Sequence, residues 1–210
     1  MPRTQKKIKG SALIDVVLVV IRTGNDSTGV EYALDTANQI QVEPQTETVD
    51  PIRLVVRGKL IAQKPQTTTI TGHQITLTDN VFSAVIMKIL QGGQITGEGD
   101  SAVYTPPVAG SDEKGEIFEL DAYSAEYDAA GTIVRYEKIT YPNCQGTPVT
   151  ISRTNDEFSV PEYVINSAPK SGEAPYKQAW VTELPTFSEE STLMVRTTSR
   201  ANETEIAKAE

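Results

Sequence analysis

The chain holds one cysteine, Cys144, one histidine, His73, and one tryptophan, Trp180. A lone cysteine excludes an intrachain disulfide and a cysteine-rich metal site, and agrees with folding in a reducing cytosol. A lone histidine leaves no second ligand for a zinc set and no partner for a nucleophilic pair, so His73 reads as structural. Long apolar runs are missing as well. The longest, Ala12 to Ile21, is too short to span a bilayer and is interrupted by Asp15. Its basic approach resembles a secretory leader, but Arg22-Thr23-Gly24-Asn25-Asp26 follows where small cleavage-site residues would be needed. The run therefore predicts a strand buried on both faces. No phosphate-binding loop or dinucleotide fingerprint occurs.

Positive charge is scarce outside one segment. The 210 residues carry 19 bases and 28 acids, for a net −9. Arg3, Lys6, Lys7 and Lys9 lie in the first nine residues with no acid, leaving 15 bases against 28 acids, or −13, for the remainder. A body this acidic repels nucleic acid rather than gripping its phosphates. Residues 1–9 read as a basic flexible terminus, 10–185 as a single β-rich domain, and 186–210 as a C-terminal arm or tail.

What is abundant is Val, Ile and Thr in alternating segments, which predicts strands. These cover Ser11–Arg22, Val30–Leu34, Gln39–Glu43, Ile52–Ala62, Thr67–Thr78, Glu116–Ser124, Thr132–Tyr141, Glu157–Ile165 and Trp180–Leu184. Pro44 to Pro51 reads as an exposed loop. Leu54, Val56 and Leu60 on one strand, with Ile70, Ile75 and Leu77 on the next, predict a long antiparallel hairpin of 52–62 with 67–78. The period then changes. Val81, Phe82, Val85, Ile86, Ile89 and Leu90 form one helical face, capped at Asp79 or Asn80 and closed by Gly92-Gly93, which predicts a helix over about 80–91. The fold class that results is mainly β, an antiparallel sandwich or half-barrel with one flanking helix, extended loops and a C-terminal arm.

Catalytic chemistry is not apparent. Acids crowd the Gly-rich stretch 97–128, nine against one base. Glu98 with Asp100, or Asp112 with Glu113, offers oxygen ligands but matches no calcium-loop pattern. Paired carboxylates without aromatic neighbours do not make a sugar-cleaving site. Gln91-Gly92-Gly93-Gln94 contains a Gly-Gly-Gln tripeptide that a helix end already explains. Cys144, after Pro142-Asn143, has no neighbouring base to activate it. The expectation is a non-enzyme with no catalytic, cofactor-binding or metal residues and no cofactor.

Two segments, Ile40-Gln41-Val42-Glu43-Pro44 and the strand-to-helix run Gly72-His73-Gln74-Ile75-Thr76-Leu77-Thr78-Asp79-Asn80-Val81-Phe82, resemble bacteriophage tail tube proteins (major tail proteins) and the tube proteins of contractile injection machines. The resemblance spans about residues 10–165. It implies a virion structural protein of the tail, made in the host cytoplasm, whose partner is itself. Six subunits would form a ring, rings would stack into a tube, and DNA would pass through the lumen at ejection with only passive contact. Sheath, tape-measure, baseplate or terminator proteins would be further partners. Two other readings of the same residues are a β-sandwich adhesion or carbohydrate-binding module, using Trp180 and the tyrosines, and a capsid-decorating or tail-terminator protein. A carboxylate hydrolase is the enzyme reading.

Overall fold

The computed structural model describes residues 10–24, 29–97, 102–156 and 158–187. The basic segment 1–9, the turn at 25–28, Glu98 and Asp100, and all but the first two residues of the 186–210 tail lie outside the described residues. Twelve strands and one helix follow in order: β1 (Leu13–Thr23), β2 (Val30–Leu34), β3 (Ala37–Val49), β4 (Ile52–Val56), β5 (Lys59–Lys64), β6 (Thr67–Asp79), α1 (Ala84–Gln91), β7 (Gln94–Thr96), β8 (Val103–Thr105), β9 (Ile117–Tyr127), β10 (Ile133–Gly146), β11 (Glu162–Ser167) and β12 (Lys177–Val181). The chain is mainly β, with antiparallel pairing throughout the described ladders.

One eight-stranded sheet runs β2-β1-β9-β10-β11-β6-β3, with β12 also on β10. Its two end strands, β2 and β3, are joined only by Asp35 and Thr36. So short a link brings the two ends of the sheet together, and the sheet curls around its core without closing. That core joins Val19, Ile21, Ile75, Leu77, Phe118, Leu120, Tyr163 and Ile165 to Ile86, Ile89 and Leu90 of α1. The helix thus covers the open side of the curl.

β1 has both faces buried where its run is purely apolar. Val19 and Ile21 enter the main core, while Leu18 and Val20 join Tyr123 on the opposite face, under Val181, Leu184 and Phe187. Asp15 adopts a positive φ of 63° beside the register shifts of β1 on β9, so the charge that interrupts the run marks an irregularity in the ladder. The β9–β10 turn forms at Asp128-Ala129-Ala130-Gly131 as predicted, with Asp128 Oδ1 accepting from the amides of Ala130 and Thr132. Pro161 immediately precedes β11, and the last strand lies three residues earlier than the sequence pattern placed it.

The hairpin of 52–62 with 67–78 does not form. β6 pairs instead with β3, bringing Ile40 opposite Leu77 and Val42 opposite Ile75, while β4 turns at Arg57-Gly58 onto β5. Two physical reasons account for the difference. Arg57 and Gly58 both take positive φ, 49° and 76°, the geometry of a tight two-residue hairpin turn, which divides the long apparent strand. Pro44 sits in β3, the end strand of the sheet, where a missing amide is tolerated. The expected loop at 44–51 is therefore strand up to Val49.

The helix is shorter than the apolar spacing suggests. Ser83 is its N-cap, and Asp79 is spent elsewhere, accepting from Thr36 Oγ1 at 2.6 Å and from the Val81 amide at 3.3 Å. Phe82 precedes the helix and is 37% exposed, so it is not part of the packed face; Ile86, Met87, Ile89 and Leu90 are. Gly92 and Gly93 end the helix at positive φ, 84° and 92°, although Gly92 at ψ −161° does not adopt the expected left-handed helical cap. Leu90 lies so close to β10 that a Cβ on Gly146 would fall 2.5 Å from its Cα.

Truncating Ile89 to alanine is expected to cost about 2–5 kcal/mol of stability, whereas Phe82→Ala should lower it by about 1 kcal/mol or less. Gly146→Ala should destabilise by forcing α1 off the sheet. Denaturant titration of the three variants, compared at equal m-value, checks the set.

Candidate functional site

β3 and β6 are each longer than the body they pair with. Along β6, every residue from Thr67 to Thr71 is exposed and every second residue from His73 to Asp79 is buried. The change falls at a register shift between Gln45 and Thr46 on β3, opposite Gly72 and Ile70. Ile70, expected inside, is 49% exposed; Ile75 and Leu77 are fully buried as expected. Beyond this point the two strands leave the sheet as an arm, and the β4–β5 hairpin forms its far portion.

The hairpin's side chains face solvent although many are apolar. Ile52, Leu54, Val55, Val56, Leu60 and Ile61 are between 48% and 66% exposed. Directly paired residues share a face. Register therefore groups Ile52, Leu54, Val56 and Ala62 on one side, with Lys64 and Lys59 at its ends, and Val55 with Leu60 on the other. An isolated two-stranded hairpin is marginal in water, and a contiguous apolar exposure of this kind marks an interaction surface. The tip of the arm has a charge of its own: the β4–β5 hairpin, residues 52–64, carries Arg53, Arg57, Lys59 and Lys64 and no acid, while Glu47 and Asp50 lie nearer the root on the β3 side.

The root of the arm is tightly built. A Cβ on Gly72 would lie 2.3 Å from the Ser167 carbonyl oxygen, so only glycine lets β6 pass here. His73, next along, is buried between Tyr141 and Tyr176, with ring centroids 5.5 Å away on both sides and edge-on geometry. Its Nδ1 has no hydrogen-bond partner among the described residues, and burial lowers its pKa. His73 is thus a packed wedge, in agreement with the structural reading.

The other candidates separate. Cys144 is fully buried, its Sγ donating to the Tyr141 carbonyl at 3.3 Å, and burial pushes its thiol up to about 12. Gln91, just before the Gly-Gly-Gln tripeptide, donates to Tyr104 Oη and accepts from the Val149 amide, which ties α1 to its neighbours. Glu113 accepts from the Gly93 amide, and no group of three metal-ligating side chains occurs among the described residues. Trp180 has the Arg135 guanidinium 4.1 Å over its ring, which occupies a face that a sugar would need. One cluster escaped the sequence reading. Asp121, 1% exposed, accepts from Arg22 and Lys138 at 2.8 Å each and from Thr140 at 2.5 Å, and Arg22 also binds Glu31 and Glu119. Alternation along β1, β9 and β10 brings these charges to one face, but only the strand register pairs them. Every buried charge there is matched, so the cluster ties four strands together, β2, β1, β9 and β10.

No protein-family model matches the chain, and no curated protein matches it. Among solved structures, it is similar to the anti-feeding prophage cap (AFP tube terminating cap), determined by cryo-electron microscopy. The identity is 14%, with 85% of this chain and 99% of that chain covered, at a TM-score of 0.43.

Because the folded state resists protonating His73, the unfolded chain takes up that proton first as pH falls below the usual histidine value of about 6.5. The histidine's contribution is therefore fully present above that pH and lost on acidification. Thermal melts at pH 7.5 and 5.5 should show a smaller acid-induced drop for His73→Gln than for the wild-type protein.

Proposed function

We propose that this chain is a virion structural protein of a phage tail or related injection machine, a tube subunit that assembles with copies of itself into stacked hexameric rings. The observation that carries the reading is the arm, a hairpin with six large apolar side chains exposed at the end of the β3–β6 ladder. A single chain has no use for such surface, and a neighbouring copy covers it. The outer edges of β2 and β3, to which no further strand pairs among the described residues, support the same reading, since edge pairing between subunits removes unpaired backbone groups. The segments that resemble tube proteins, Ile40–Pro44 and Gly72–Phe82, supply the β3–β6 ladder that bears the arm. Acidity of the remainder suits a conduit through which DNA slides without sticking. The role is not enzymatic. The location is the virion tail, with other tail components at the ends of the tube.

Replacing Leu54 and Ile61 by aspartate tests this reading. Both are exposed, so the melting temperature of the dilute protein should stay within about 2 °C of wild type. Sedimentation velocity and negative-stain microscopy at high concentration should show rings or tubes for the wild type and monomers for the variant. Discrete wild-type monomers at every concentration would overturn the proposal and favour a binding module. Labelled duplex DNA is expected not to bind the assembled protein at physiological salt; tight binding that survives replacement of Arg3, Lys6, Lys7 and Lys9 by glutamine would refute a passive conduit.

A further inference from the structure

The structure points to a specific docking partner for the arm: we infer that the basic hairpin of one copy seats on the acidic loop before β9 of the next copy, in a head-to-tail contact. This rests on the self-assembly reading above and adds to it a location and a symmetry.

The argument begins with like charge. Two β4–β5 hairpins, each bearing Arg53, Arg57, Lys59 and Lys64 with no acid between residues 52 and 64, repel one another, so a two-fold contact of tip against tip is disfavoured. The tip must meet a different part of its neighbour. Eight of the 19 bases lie in residues 1–9 and in this hairpin, so the rest of the sequence holds 11 bases against all 28 acids, or −17. Within the described part of that remainder, the segment entering β9 matches the hairpin in both respects. Asp112, Glu113 and Glu116 are exposed with a single base, Lys114, among them. Val108 and Ile117 beside them in sequence are 79% and 63% exposed. An apolar strip flanked by lysines thus meets exposed carboxylates with an exposed apolar residue on either side of them in sequence.

Strand register places the two surfaces apart. His73 on β6 aligns with Ser167, Cys144 and Phe118 across the sheet. From that row the β3–β6 ladder carries the arm in the direction in which β9 runs toward Tyr127, whereas the acidic loop joins β9 at its other end, Ile117. A contact between unlike surfaces that point in opposite directions is heterologous, and it repeats from copy to copy into a ring or a filament rather than stopping at a dimer.

Charge exchange tests the pairing. Full-length protein carrying Arg53→Glu, Arg57→Glu, Lys59→Glu and Lys64→Glu should associate at least about tenfold more weakly by sedimentation, as should a protein carrying Asp112→Lys and Glu116→Lys. Combining all six changes in one chain should restore association, which a merely structural defect would not allow. Raising NaCl from about 50 to about 500 mM should weaken the wild-type contact, because screening acts on charge pairs while apolar contact is not weakened. A photo-reactive residue at Ile61 should cross-link to peptides of the 106–117 segment in a second, isotope-labelled copy. Arm-to-arm adducts, or association that persists in both charge variants, would overturn this inference and leave self-assembly standing. Absence of wild-type association under all conditions would remove both. Binding of the wild-type hairpin to vesicles of anionic phospholipid or to duplex DNA in place of a second copy would also reject it.

Discussion

The architecture depends on a connection of two residues. Asp35 and Thr36 join β2 to β3, the strands at opposite ends of the large sheet. A flat eight-stranded sheet cannot satisfy so short a link, so the sheet must curl, and curling creates one enclosed apolar space. The same link is pinned from both sides: Thr36 Oγ1 donates to Asp79 at the end of β6, and the Asn80 amide donates to the Thr36 carbonyl. Closure of the curl and the start of the helical segment are therefore settled at one place. Once α1 fills the open side, the surplus length of β3 and β6 has no core left to enter and becomes the arm.

Much of this was legible in the sequence, and the misreadings share a cause. Local signals were sufficient for the β-rich class, the β9–β10 turn at Asp128–Gly131 and the glycine exit of the helix. Partner choice was not local. Alternation in Ile52–Ala62 and Thr67–Thr78 reports that one face of each strand meets something apolar, but not which strand pairs with which. Arg57-Gly58 is a weaker turn signal than Asn-Gly, and Pro44 suggests a break unless its strand is known to be at an edge. The helix start was misplaced because Asp79, a good cap by type, is recruited to the β2–β3 link.

The candidate site was hidden for a related reason. Leu54, Val56 and Leu60 carry the pattern of core residues, yet all three are exposed in this chain. The pattern cannot say whether the cover belongs to the same chain. What distinguishes the hairpin within the sequence is charge: a stretch of 28 residues with four bases and no acid, in a chain that is otherwise strongly acidic. Asp121 illustrates the converse. Its neighbours Arg22 and Lys138 are remote in sequence, and only register makes the trio a tie between strands rather than three solvated charges.

The burial of Cys144 has a bearing on how the proposed assembly would fare in an oxidising medium. Such a medium holds no glutathione, and copies packed side by side bring their thiols to very high local concentration, conditions that favour oxidative cross-linking of any accessible pair. Cys144 is closed off beneath Tyr141 and Phe118, and its proton is held too firmly for a thiolate to form at neutral pH. An assembly of the proposed kind would therefore form no disulfides through Cys144, and the contacts that build it would remain the ones by which it comes apart.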